Sequence, residues 1–279
     1  MCTMKKKFQM IGFALSVLLV TLPVVTVGAD NAASGKQKKE KTTESALGVK
    51  PVTGSWINLA YKDVRNKYTN PQSFDNMDPK LWEAKVRELS AMGIEYLVLM
   101  EVANEGKSYY PSQIMPWWYN KDKKSPVDAI LNEAAKHNMK IFMSSGWAKD
   151  QDDNLLDPAI KERQLRIMEE LASLYKNHKA FYGWYLPVED CLCPIFAEHA
   201  VQSVNTLSEK AKKLAPGKKT LISPYGIGLS EFDNPEYEKQ MQKLKVDIIA
   251  YQDEVGCVRD QFTLPRLKKN WQRLRDIHN

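Results

Sequence analysis

The sequence predicts an α/β fold: a TIM-type (β/α) barrel, incomplete, with six βα units of the usual eight. Three observations predict it. Short continuous apolar runs recur along the chain, as expected of parallel strands covered on both faces. Each run is followed by a stretch with apolar residues at helical spacing. Several of those stretches open on an Asp, Ser or Asn directly before a proline, an N-cap acceptor followed by a residue preset for the first helical turn.

The strand runs are Ser55–Tyr61, Glu95–Glu101, Lys140–Ser144, Phe181–Leu186, Lys219–Ser223 and Val246–Tyr251. Asp78-Pro79, Ser125-Pro126 and Asp157-Pro158 start the first three helices. Cys193-Pro194, Asn234-Pro235 and Thr263-Leu264-Pro265 repeat the signal more loosely. In the third helix Leu165, Met168, Leu171, Ala172 and Tyr175 form one apolar stripe. An open doubly wound sheet is the rival fold, but no Gly-x-Gly-x-x-Gly turn follows the first run. The second unit carries the longest loop, Val102 to Lys124, rich in Tyr and Trp. That suits a barrel whose site lies at the strand C-terminal ends. No strand run follows the helix that starts at Leu264, so the expectation is either a piece of a longer product or an open barrel with two exposed edges.

The N-terminus reads as a separate segment. Lys5, Lys6 and Lys7 precede the apolar run Phe8 to Val27, and Val27-Gly28-Ala29 completes the pattern of a secretory signal peptide. Residues 1–29 are thus expected to be cleaved, leaving an exported protein that touches a membrane only if the segment is retained. Residues 30–50, with KQKKEKTTES at their centre, read as a disordered linker, and residues 51–279 as the barrel. The net charge of +6 draws on the leader and linker lysines, and no basic stripe with interleaved aromatics remains, so nucleic acid is not an expected partner. Export permits disulfides. Cys191, Cys193 and Cys257 all fall near the predicted top face, where a bridge between units four and six is expected over a catalytic dithiol, since Cys-x-x-Cys is absent.

Reading the strand ends gives the candidate site: Asn58 and Tyr61, Glu101, Ser145 and Trp147, Glu189 and Asp190, Tyr225, and Gln252, Asp253 and Glu254. Carboxylates, amides and aromatic rings suit a carbohydrate. Glycoside hydrolysis needs two carboxyl groups across one bond, one to protonate the leaving oxygen and one to attack or to activate water. Glu189, Asp253 and Glu101 are the catalytic candidates. Asn58, Tyr61, Trp117, Trp118, Trp147, Trp184, Tyr225 and Gln252 are the substrate-binding candidates. Each has a plainer alternative. Asp190 reads as the cap of the next helix, Glu254 as solvated, Glu101 as an ion-pair partner, and Trp184, inside its strand, as core.

Other chemistries fit less well. His137, His178, His199 and His278 fall in or just after helices rather than at strand ends, against a metal hydrolase. Lys140 and Lys219 begin their strands, the wrong face for a Schiff base. Gly226-Ile227-Gly228 is too slight for a phosphate cradle, and no Gly-x-Ser-x-Gly elbow exists. No cofactor or metal is expected.

The segments FYGWYLPVED, TLISPYG and VDIIAYQDEVG resemble a family of secreted bacterial TIM-barrel domains of unknown function, regarded as candidate glycoside hydrolases. The resemblance runs from Pro51 to the C-terminus. It implies a barrel and a carbohydrate-related role, and it sets Glu189 at the strand-four acid position. In the large clan of retaining barrel glycosidases that position holds the acid/base, while the nucleophile lies on strand seven and has no match here. The expectation is therefore an exported glycoside hydrolase-like protein acting on a glycan by carboxylate acid/base catalysis. The alternative is a non-catalytic glycan-binding protein or an inactive truncated remnant.

Overall fold

The computed structural model describes residues 51–59, 78–104, 106–117, 125–147, 154–252, 254 and 261–278. Six strands, β1 (Gly54–Ile57), β2 (Tyr96–Leu99), β3 (Lys140–Ser144), β4 (Phe181–Tyr185), β5 (Lys219–Ile222) and β6 (Ile248–Ile249), form one sheet. All neighbours pair in parallel. Six helices follow them in turn: α1 (Pro79–Ala91), α2 (Pro126–Lys136), α3 (Pro158–Tyr175), α4 (Glu198–Leu214), α5 (Pro235–Lys243) and α6 (Leu264–His278).

Strand order in space equals strand order in the chain. A barrel wall is built that way, whereas a doubly wound sheet reverses order at its switch point. The fold is thus a TIM-type barrel of six βα units, incomplete, with β1 and β6 as sheet edges among the described residues. β3 has the bounds of its apolar run, and the other paired strands are shorter than theirs: only Ile248 and Ile249 pair in β6. Within the second loop, Ala103–Asn104 and Lys107–Ser108 pair as a small antiparallel hairpin.

The caps explain why the helices start where they do. Asp78 accepts from Lys80 N at 2.9 Å, Ser125 from Asp128 N at 3.2 Å, Asp157 from Ala159 N at 2.8 Å and Asn234 from Glu236 N at 3.0 Å. Each such cap is worth about 1 kcal/mol. The Cys193-Pro194 signal proves different. Its peptide bond is cis, and α4 starts at Glu198 after Ala197, which offers no side-chain acceptor.

Two apolar layers sandwich the wall. Outside, β-strand residues such as Leu97, Ile141, Met143, Phe181, Trp184 and Ile222 pack with Val86, Val127, Ile130, Ile167, Met168, Leu171 and Val204 of the helices. Inside, Val98, Phe142, Tyr185 and Leu221 pack with Trp56, Tyr96, Tyr182, Ile248 and Ala250. The third-helix stripe is buried as expected, except that Leu165 is partly buried while Gln164 and Ile167 are fully so.

One irregularity decides which side chains face inward. Ile141 pairs with Phe181, but Phe142 pairs with Gly183, so Tyr182 is an extra residue on β4. At this bulge Tyr182 and Gly183 both oppose Phe142, and the alternation of faces resets. Trp184 then points to the helices and Tyr185 into the barrel. Gly183 is required there. A Cβ would come within 2.5 Å of Lys219 O and 2.7 Å of the Phe142 ring.

Candidate active site

The reset puts Tyr185 on the inner face of β4, fully buried, and the next turn of chain brings Glu189 back over it. The Tyr185 hydroxyl donates to Glu189 Oε1 at 2.8 Å. Glu189 is partly buried. Burial raises its carboxyl above the usual carboxylate range, while the Tyr185 hydrogen bond works in the opposite direction. Burial likewise pushes the Tyr185 phenol well up, reinforced by the adjacent Glu189 charge.

The approach to Glu189 is braced from β3. Trp147 is only 8% exposed, and its indole N–H donates to Pro187 O at 3.2 Å. Little of its ring is left as an open platform. Ser145 is buried, and its carbonyl accepts from the Gln164 amide of α3 at 2.6 Å.

Beyond Glu189 the chain is tied to the loop after β5. Leu192 N donates to Tyr225 O at 2.8 Å, and Tyr225 N to Asp190 O at 3.4 Å. Cys191 and Cys193 are joined as a disulfide, so the bridge lies within unit four and not between units four and six. It packs on Gly226, where a Cβ would sit 2.7 Å from Cys191 Sγ. At φ 90° that position favours glycine twice over.

Tyr225 is partly buried, and burial first, then the charges of Asp190, Glu254 and Glu189, raise its phenol. Three carboxylates therefore surround one phenol at the mouth of the wall. Asp190 does not cap α4 as expected. It accepts from Cys191 N at 2.7 Å and pairs with His199 Nε2 at 2.9 Å. Glu254 is not fully solvated either: it is partly buried, and its carboxylate accepts from Gly226 N.

The remaining candidates divide. Glu101 is 2% exposed at the end of β2. It stands two strands from β4, about 10 Å at the backbone. Asn58, at the end of β1, has a buried Oδ1 with no hydrogen-bond partner among the described residues. Gln252 spends its side-chain N–H on Ser223 O at 2.7 Å. Trp117 is partly buried on the loop after β2. Trp184 is wholly buried between wall and helices, edge-on to Phe181 at 5.1 Å, and lies away from the barrel interior. Tyr61, Trp118, Asp253 and Cys257 lie outside the described residues.

Two residues escaped the strand-end reading. Tyr185 sits within a strand whose bulge decides its face. His199 sits in the first turn of α4, and a helix that follows a strand begins on the same face of the barrel where the strand ends, so first-turn residues belong in such a search. Among the described residues no group of three or more His, Cys, Asp and Glu could hold a metal ion, and no helix is long and apolar enough to cross a membrane.

The six-stranded parallel wall, with its carboxyl-bearing strand ends, defines an incomplete TIM-type barrel. The chain belongs to the family described as Domain of unknown function (DUF4434), which matches residues 52–279. No curated protein sequence matches it. Among solved structures it is similar to a putative alpha-L-fucosidase from Bacteroides thetaiotaomicron, at 20% identity and a TM-score of 0.56, covering 72% of this chain and 65% of that one. It is also similar to TsXylA, an intracellular xylanase from Thermoanaerobacterium saccharolyticum, at 15% identity and a TM-score of 0.46, covering 81% and 69%. A third is a GH10 endoxylanase from a sugarcane soil metagenome, at 10% identity and a TM-score of 0.47, covering 80% and 63%. The chain thus spans less than two thirds of the fucosidase, and that likeness is one of fold.

Proposed function

We propose that the protein is an exported glycoside hydrolase that cleaves a glycan with Glu189 as general acid. The observation that carries this reading is the Glu189 carboxyl. It stands at the end of β4, held by the Tyr185 hydroxyl, with burial raising its proton affinity. A general acid must hold its proton near working pH, and partial burial is the ordinary means. The proton passes to the glycosidic oxygen as the carbon–oxygen bond breaks, and water completes the hydrolysis.

The partner carboxylate is assigned to Asp253 or Glu101, each beyond a strand two places from β4. Carboxyl groups about 5–5.5 Å apart give retention and about 6.5–9.5 Å give inversion. Asn58, at the end of β1, and Tyr225, on the loop after β5, are assigned polar contacts to sugar hydroxyls. The fold's likeness to a protein named as a fucosidase supports a carbohydrate substrate. Export rests on the Lys5–Lys7, apolar and Val27-Gly28-Ala29 pattern, and mass spectrometry of the exported protein should find an N-terminus at Asp30.

The test is Glu189→Gln, assayed against a polysaccharide panel. Turnover of any glycan cleaved by the native protein should fall by a factor of about 100 or more, with binding retained. Turnover equal to that of the native protein overturns the reading.

A further inference from the structure

We propose that Tyr185 is a positioning residue that reserves Glu189 Oε1 and thereby confines the transferable proton to Oε2. The inference rests on reading Glu189 as the general acid and adds which atom of it acts.

Were β4 regular, Tyr185 would face the helices. The extra residue at Tyr182 turns it inward, and its hydroxyl reaches Glu189 Oε1 at 2.8 Å. Tyr185 is fully buried, so the ring cannot swing to another partner without opening the inner core of Val98, Phe142 and Leu221. Its phenol is driven toward the protonated form by burial, so it stays a donor across the working pH range.

A carboxyl oxygen that accepts a fixed hydrogen bond is a poor place for its own acidic proton, because two hydrogens would then crowd one oxygen. The proton therefore sits on Oε2. In the chemical step Oε2–H gives its proton to the glycosidic oxygen. The electron pair of the breaking carbon–oxygen bond goes to that oxygen, and Glu189 is left as a carboxylate. The Tyr185 bond to Oε1 then becomes charge-assisted and roughly twice as strong. It thus favours the proton's departure while fixing the direction in which it leaves.

The bulge serves the acid directly. It places a phenol below the acid that strict alternation would have placed outside. Gly183 permits it, since any Cβ there would strike Lys219 O and the Phe142 ring.

The test is Tyr185→Phe, which keeps the ring and removes the donor. In protein carrying carboxyl-labelled glutamate, the Glu189 resonance, assigned by its loss in Glu189→Gln, should titrate about one pH unit higher in Tyr185→Phe. On a glycan that the native protein cleaves, the alkaline limb of the rate profile should move up by the same interval. The rate constant kcat should fall about tenfold with KM little changed.

A second measurement on the native fold guards against a variant that does not fold. The ring carbon bearing the Tyr185 hydroxyl should show a chemical-shift inflection at the Glu189 midpoint, and Glu189→Gln should abolish it. An unchanged Glu189 titration in Tyr185→Phe, or a Tyr185 signal blind to Glu189, overturns the proposal. If the coupling is present but Glu189→Gln keeps full turnover, the positioning contact stands and the catalytic reading fails.

Discussion

Glu170 on α3 offers a quantitative test of how the loop after β2 is held. Its Oε2 accepts from the Tyr110 hydroxyl at 2.8 Å and the Ser112 hydroxyl at 2.6 Å, and its Oε1 accepts from Gln113 N. Three donors of one segment thus converge on one carboxylate, and that segment leads to Trp117. Burial and the Glu170 charge both raise the Tyr110 phenol, so it remains a donor. Glu170→Gln keeps the shape but turns one oxygen into an N–H₂ that must face a donor. One bond is lost, and the others fall from charge-assisted to neutral strength. Hydrogen bonds to charged groups contribute about 1.5–3 kcal/mol and neutral ones about 0.5–1.5. Allowing for rearrangement, docking of the segment should weaken by about 2 kcal/mol. Hydrogen exchange read by mass spectrometry should show amides of residues 108–115 exchanging about thirtyfold faster, with the strand amides of β3 and β4 unaffected. Unchanged exchange in 108–115 would refute the claim that Glu170 holds this loop.

Two further outcomes are expected. Glu133, nearly buried on α2, accepts from Lys136 at 2.7 Å, Arg87 at 3.2 Å and His137 at 3.2 Å. The Lys136 hydrogen bond leads in lowering its carboxyl to about 2, against the opposing effect of burial. A depressed carboxylate contributes stability that is present above its unfolded value, near 4.5, and is lost as pH falls through about 2. Glu133→Gln should therefore cost about 1–2 kcal/mol at neutral pH, the figure discounted because its partners are partly solvated. The deficit should shrink in urea melts as pH falls from about 4.5 toward 2, and a deficit independent of pH would count against it. Gly183→Ala should lower stability by about 2 kcal/mol through overpacking at the bulge, a Tm drop of about 4–8 °C by calorimetry. An unchanged Tm would show that Phe142 and Lys219 yield freely.

Much of the architecture was legible in the residues because its causes are local. A buried parallel strand needs an unbroken apolar run, and a helix start needs an acceptor before a proline. So the runs at Lys140 and Phe181 and the caps at Asp78, Ser125, Asp157 and Asn234 could be read directly. Cys193-Pro194 misled because the same dipeptide also serves a cis turn. The disulfide partner was hidden for a related reason. The expected bridge joins units four and six, but the chain curls within two residues and closes Cys191 on Cys193, packed against Gly226.

What the sequence by itself determined is the succession of six βα units and the acid at the end of the fourth strand. Only the tertiary structure decided which side chains meet that acid. One extra residue at Tyr182 reverses the facing of everything after it, sending Trp184 into the helical layer and Tyr185 beneath Glu189. Side-chain direction in a strand has a period of two, so a single bulge inverts it. That bulge depends on contacts with β3 and β5, which the run FYGWY does not contain.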